Sequence, residues 1–283
     1  MTWHRTVVLL ALLAAAAVVV LALRAWPSDD LTAPEVLARS QAAEEEVLAQ
    51  LTEGKVLHLR DEVYRRHGPA ASLIRAMSSE WYLPERYVHE LWLEVGPGGK
   101  FSHVRGSVRG ETGEVLQDIT TVGTEVITRD IASGAEFRTP LQVSIEDIAT
   151  AMRMSIELRR EQLESGTAVV TGEGKIDGRP TLIVEETMPA PPKMADVADG
   201  QAQGYSIIIP YTQDIDAVRW LRRTEVDSES FLALRWSVVV VGSAGREIVL
   251  EEKYRAAFTV VEPSAMPRAP KELGGRGWRI IRY

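Results

Sequence analysis

The chain has 283 residues, a formal net charge of −8 and no cysteine. The acidic balance argues against a nucleic-acid partner, and the missing thiol removes disulfides, thiol catalysis and a lipid-modified N-terminal cysteine. With 45% hydrophobic residues, the chain has the composition of an ordinary globular protein large enough to bury a core.

Residues 6–23 read TVVLLALLAAAAVVVLAL, an apolar run without charge, Pro or Gly. As a helix it would be about 27 Å long, the thickness of a hydrocarbon core. Residues 1–26 are therefore expected to be a retained membrane anchor or a cleaved signal. Leu23 fits poorly as the third residue before a cut after Ala25, and Pro27 follows closely, which favours the anchor. Arg5 and Arg24 flank the run symmetrically, so basic residues do not set its direction. A short leading tail before a long domain places residue 27 onward outside. The expectation is a single-pass protein of the cell membrane with its domain on the extracytoplasmic side.

Thr32, Pro34 and Glu35 open the next segment with a cap, a first-turn proline and a capping-box acid. Val36, Ser40, Ala43, Val47 and Leu51 then recur at helical spacing, with Glu44 to Glu46 on another side. From Lys55 the period changes to two. Leu57, Leu59 and Val63 alternate with polar residues, and so do Tyr87, Leu91, Leu93 and Val95. Gly96-Pro97-Gly98-Gly99 turns the chain into 100–109; a Val95–Lys100 pairing would set His103 opposite Trp92 and His89 opposite Gly106. Short strands at 115–121, 124–130 and 135–139 complete an antiparallel meander.

Ser144, with Asp147 three positions on, caps a second helix whose apolar stripe is Ile145, Ile148, Ala149, Met152, Ile156 and Leu163; Gly166 ends it. Strands resume at 167–176 and 181–188 around an Asp177-Gly178 hairpin turn. Residues 189–203 read as a loop, and YSIIIPY at 205–211 as a buried strand or a flap. Three strands follow at 217–226, 231–241 and 247–261. In the last, Ile248, Leu250, Tyr254, Ala256, Phe258 and Val260 are expected on one face, with Glu251, Lys253, Arg255 and Thr259 on the other. Residues 263–283 form a basic tail, either solvated, touching anionic lipid heads, or adding WRIIRY as an edge strand. About eleven strands and two or more helices make an α+β domain over 27–262, a large curled antiparallel sheet covered by helices.

The opening LTAPEVLARSQAA, then DIDAVRWLRRTEVD, LRWSVVVVG and EIVLEEKYRAAFTVVEP, resemble the outer-membrane lipoprotein carrier superfamily, the LolA/LolB-like proteins with the RseB-like regulatory domains. The resemblance runs over residues 31–262 and rests on the order of elements. The chain departs from the family in lacking the lipidated Cys of some members and in carrying an anchor run where soluble carriers have a cleaved signal. What the resemblance implies is a half-open β-barrel whose concave, helix-plugged side holds the acyl chain of a lipid or lipoprotein. An apolar hollow under loosely packed helices is physically suited to this, since each buried methylene contributes about 0.8 kcal/mol. Candidate lining residues are Leu91, Leu93, Ile148, Met152, Ile156, Trp220, Trp236, Tyr254 and Phe258. The resemblance also implies a second role, an RseB-like module binding an anti-sigma factor or another membrane regulator.

Catalysis has little support. The histidines at 58, 67, 89 and 103 lack ligand spacing for a metal. Gly172-Glu173-Gly174-Lys175 lacks the spacing and following Ser or Thr of a phosphate loop. No nucleophile–base set can be assembled, and Glu185-Glu186 and Glu251-Glu252 point to opposite faces of strands. No cofactor is expected.

Overall fold

Period-two patterning builds one large sheet, and a helix lies across one of its faces. The computed structural model describes residues 31–66, 83–150, 167–189, 217–268 and 279–282. Helix α1 (Ala33–Ala49) leads into β1 (Val56–Arg65), β2 (Arg86–Val95), β3 (Phe101–Gly110), β4 (Val115–Val122), β5 (Glu125–Asp130) and β6 (Ala135–Pro140). Residues 145–150 are helical, and the rest of that expected helix, with Met152 and Ile156, lies outside the described residues. Then come β7 (Ala168–Ile176), β8 (Arg179–Met188), β9 (Ala217–Asp227), β10 (Ala233–Gly242), β11 (Glu247–Val261) and β12 (Arg279–Arg282). Residues 205–211 also fall outside the description, as does the apolar run at 6–23. Among the described residues, no helix is long and apolar enough to cross a membrane.

The strands form one sheet in the order β12-β6-β5-β4-β3-β2-β1-β11-β10-β9-β8-β7. Eleven of its strands are those expected from the sequence; the twelfth comes from the tail and pairs with β6 in parallel. All other neighbours are antiparallel. With few helices among the described residues, a sheet of this size fits a half-open barrel.

Local chemistry fixes the joints. Asp177 and Gly178 both take positive φ, 48° and 84°, as a two-residue hairpin turn demands. Ser144 Oγ accepts from the Asp147 N–H at 3.1 Å while Asp147 Oδ2 accepts from the Ser144 N–H at 2.7 Å, so this cap closes reciprocally. The β2–β3 register differs from the expected one. Val95 pairs with Phe101, and a shift next to it sets Arg105 opposite Trp92 and Val108 opposite His89. The Gly-rich turn is one residue longer than a Val95–Lys100 pairing allows, because Pro97–Gly99 forms a 3-10 turn.

Register assigns every strand residue to a face. On the helix face, one row runs Leu93, Leu57, Val260 and the next runs Leu91, Leu59, Phe258. Helix α1 buries Ala33, Val36, Leu37, Ser40 and Leu48 and touches β7, β8 and β11. Leu48, Leu51 and Ala149 pack onto Leu57, Val95 and Phe101, with Leu59, Leu93, Ile145, Ile148, Phe258 and Val260 around them.

Strand β11 does not alternate simply. Register shifts opposite Arg60/Asp61 and opposite Val238/Val239 leave an extra residue in β11 at each place. Each bulge reverses the phase. Glu251, Lys253 and Arg255 therefore share the helix face with Phe258 and Val260, whereas Tyr254 turns to the opposite, open face.

Candidate functional site

The helix face has three zones. The first is the apolar patch made by the rows of Leu93 and Leu91. Leu59, Leu91, Leu93, Phe258 and Val260 remain only half-buried there. Leu91 lies over Gly106, where an added Cβ would fall 2.4 Å from the Leu91 Cδ2 and 2.7 Å from the Glu90 carbonyl. A side chain at 106 would thus push Leu91 out of the patch.

The second zone is a belt of ion pairs. Lys253 Nζ lies 2.7 Å from Asp61 Oδ2, and Arg65 Nη2 lies 2.9 Å from Glu251 Oε1. Arg255 reaches the helix and donates to Glu44. Its guanidinium sits 4.4 Å over the Trp236 ring and 4.5 Å over Phe258, so two aromatic faces hold it in place. His89 stands beside the belt. Burial lowers its pKa from the usual 6.5, partly opposed by the Asp61 charge and reinforced by Lys253. Further along, Arg222 lies 3.8 Å from Glu186, whose side chain is fully buried, and burial lowers the Arg222 pKa. The third zone is a smaller apolar cluster of Trp220, Val240 and Leu250 with Met188, Val238 and Ile248.

The proposed lining residues therefore divide. Leu91, Leu93 and Phe258 share the first patch, and Ile148 packs there from the second helix. Trp220 belongs to the far cluster, and Trp236 lies in the charged belt between them. Tyr254 is on the other side of the sheet. Met152 and Ile156 lie outside the described residues.

The open face carries a cleft of about 430 Å³ that sequence reasoning missed. It lies over β2, β1, β11 and β10, beside the β3–β4 turn. In register, Glu62 pairs with Tyr254 and Tyr64 with Glu252, so phenols and carboxylates occupy opposite diagonals of a square. Val88 and Arg86 flank them on β2, and Arg235 on β10. The Tyr254 hydroxyl donates to Asp177, which holds its pKa above the usual value. Asp177 belongs to the β7–β8 turn, so this contact carries the hairpin back across β9 and β10. Arg86 stacks 4.8 Å over Tyr64 and lies 3.5 Å from Glu111. The sequence pattern puts Tyr254 on the apolar face with Phe258 and Glu62 on the polar one, so it does not bring them together; the one available signal is two tyrosines among charges on adjacent strands. Among the described residues no group of His, Asp and Glu could hold a metal ion.

No family model and no curated protein matches the sequence. Several solved structures are similar to it at low identity. LprF from Mycobacterium bovis aligns with 83% of this chain and 96% of its own, at 11% identity and a TM-score of 0.40. MucB, solved in complex with MucA from Pseudomonas aeruginosa, aligns with 84% of this chain and 61% of its own, at 14% identity and a TM-score of 0.38. A LolA superfamily protein from Nitrosomonas europaea aligns with 82% of this chain and 96% of its own, at 10% identity and a TM-score of 0.24.

Proposed function

We propose that the chain is a binding protein, not a catalyst, held at the outer side of a membrane by its leading apolar run. Its ligand is the acyl chain of a lipid or lipoprotein, laid on the first apolar patch of the helix face. One observation carries this reading. Leu59, Leu91, Leu93, Phe258 and Val260 lie where a closed core would bury them, yet all remain half-buried. Large apolar side chains left partly wet beneath a helix favour an apolar guest, at about 25 cal/mol per Å² covered. The ion-pair belt bounds that patch on one side, so the tail would lie along the rows of Leu91 and Leu93 and stop at Asp61 and Arg255.

Native mass spectrometry of the full-length chain released from detergent tests this. The expected result is a co-purified adduct of lipid mass. A brominated fatty acid should also quench the fluorescence component that Trp236→Phe removes, and should do so saturably. A chain that carries no adduct, takes none from vesicles and shows no such quenching would sink the reading.

The packing of Leu48, Leu51 and Ala149 onto Leu57, Val95 and Phe101 favours a second reading, because that end of the face is filled by the chain's own side chains. In it, the domain is a regulatory module that binds a membrane protein partner and holds no lipid. Stoichiometric co-purification with a single-span regulator, free of lipid mass, would select it.

A further inference from the structure

The cleft on the open face belongs to neither reading, and its chemistry differs from that of the apolar patch. Its floor is the square formed by Tyr64, Tyr254, Glu62 and Glu252. Both arginines on its rim already have carboxylates: Arg86 has Glu111 at 3.5 Å, and Arg235 has Glu225 at 3.2 Å. The two floor carboxylates do not have comparable partners. Glu62 has only Arg60, 3.9 Å away, and half-buried Glu252 has no ion pair or hydrogen bond among the described residues. The cleft thus has carboxylate capacity to spare between two phenol rings.

One side chain already shows what such a ring accepts. The Arg86 guanidinium lies over Tyr64, although 62% of that side chain is exposed and free to swing aside. Tyr254 is fixed by its hydrogen bond to Asp177, which keeps its ring standing in the cleft. We propose that this cleft binds a compact organic cation, an alkylammonium or guanidinium group. The group would sit between Tyr64 and Tyr254 and donate to Glu62 and Glu252. Ring faces attract the charge, carboxylates accept its hydrogen bonds, and Val88 borders the attached methylenes. The cation can come from a Lys or Arg side chain of a peptide or from a free amine.

The full-length chain in detergent micelles, labelled with carbon-13 in its tyrosine rings, is titrated with three probes. These are agmatine, the blocked peptide acetyl-Ala-Arg-Ala-amide, and its neutral citrulline analogue. Both cationic probes should move the Tyr64 and Tyr254 resonances saturably, and the citrulline peptide should not. Glu62→Gln and Glu252→Gln should each weaken cation binding about tenfold, with an unchanged unfolding midpoint. Glu62 is exposed, so its variant keeps the test valid if the Glu252 variant folds poorly. Tighter binding of the arginine peptide assigns the site to peptides, and tighter binding of agmatine assigns it to free amines. Equal binding of the citrulline peptide, or undiminished binding by a folded Glu62→Gln variant, overturns the proposal.

Discussion

Charge in this sheet is concentrated where alternation alone would put water. On the face of β3 to β6 opposite the helix, Arg105 pairs with Asp118, which is 1% exposed. Arg129 links Asp118 at 3.7 Å to Glu136 at 2.9 Å, and Arg138 joins Glu136 at 2.7 Å to Glu125 at 3.5 Å. Burial alone would push the Glu136 carboxyl up, but the hydrogen bonds from Arg138 and Arg129 outweigh it and leave the pKa below the ordinary 4.5. A depressed carboxylate stabilises the fold above its unfolded pKa, and that contribution is lost as pH falls through the folded value. Wild-type stability should therefore decline once pH drops below 4.5, and Glu136→Gln should flatten that part of the decline while lowering stability at neutral pH. Urea unfolding midpoints across that range check it; parallel curves for the two proteins would contradict it.

At the scale of elements, turn positions and caps were legible in the sequence, whereas the length of the turn after Val95 and the bulges were not. Asp177-Gly178 marks its hairpin because few residues accept positive φ in succession, and Ser144 with Asp147 marks a helix start because their side chains match the free N–H groups. Eleven strands follow from period two for the same local reason. The extra residues in β11 have no local signature, since EEKYRAAF alternates acceptably in either phase. That is why Tyr254 was expected beside Phe258, and why Arg255 was expected to face solvent. Arg255 in fact ties α1 to the sheet through Glu44, with side chains 14% and 13% exposed. Glu44→Gln should cost about 1–3 kcal/mol, because a guanidinium between two rings loses its charged acceptor. Hydrogen exchange should report the loss as faster opening of α1, with β3 to β6 unaffected; uniform acceleration over the sheet would refute the assignment.

For the whole molecule, the two sheet edges differ in their protection. β12 covers the β6 edge by parallel pairing, from Arg279 beside Ala135 to Arg282 beside Arg138. Without it, β6 would present an unpaired backbone, and such edges recruit other chains. A chain stopped after Arg268 should shift from the mass of one chain toward that of two in sedimentation at rising concentration. A peptide of residues 278–283 should reverse the shift. A truncated chain that stays monomeric at all concentrations would mean β12 guards nothing.

β11 also sets the order in which the molecule can be made. Its first half pairs with β10 and its second half with β1, so Val56 meets Val261 across nearly the whole length of the domain. Early in synthesis β1 can pair with β2 on one flank, but its other flank stays bare until the last long strand arrives. Contacts so distant in sequence form slowly, and an uncovered flank invites mispairing while it waits. Folding of this protein should therefore depend on a holding chaperone more than its final stability would suggest, and lesions in β11 should surface first as poor yield.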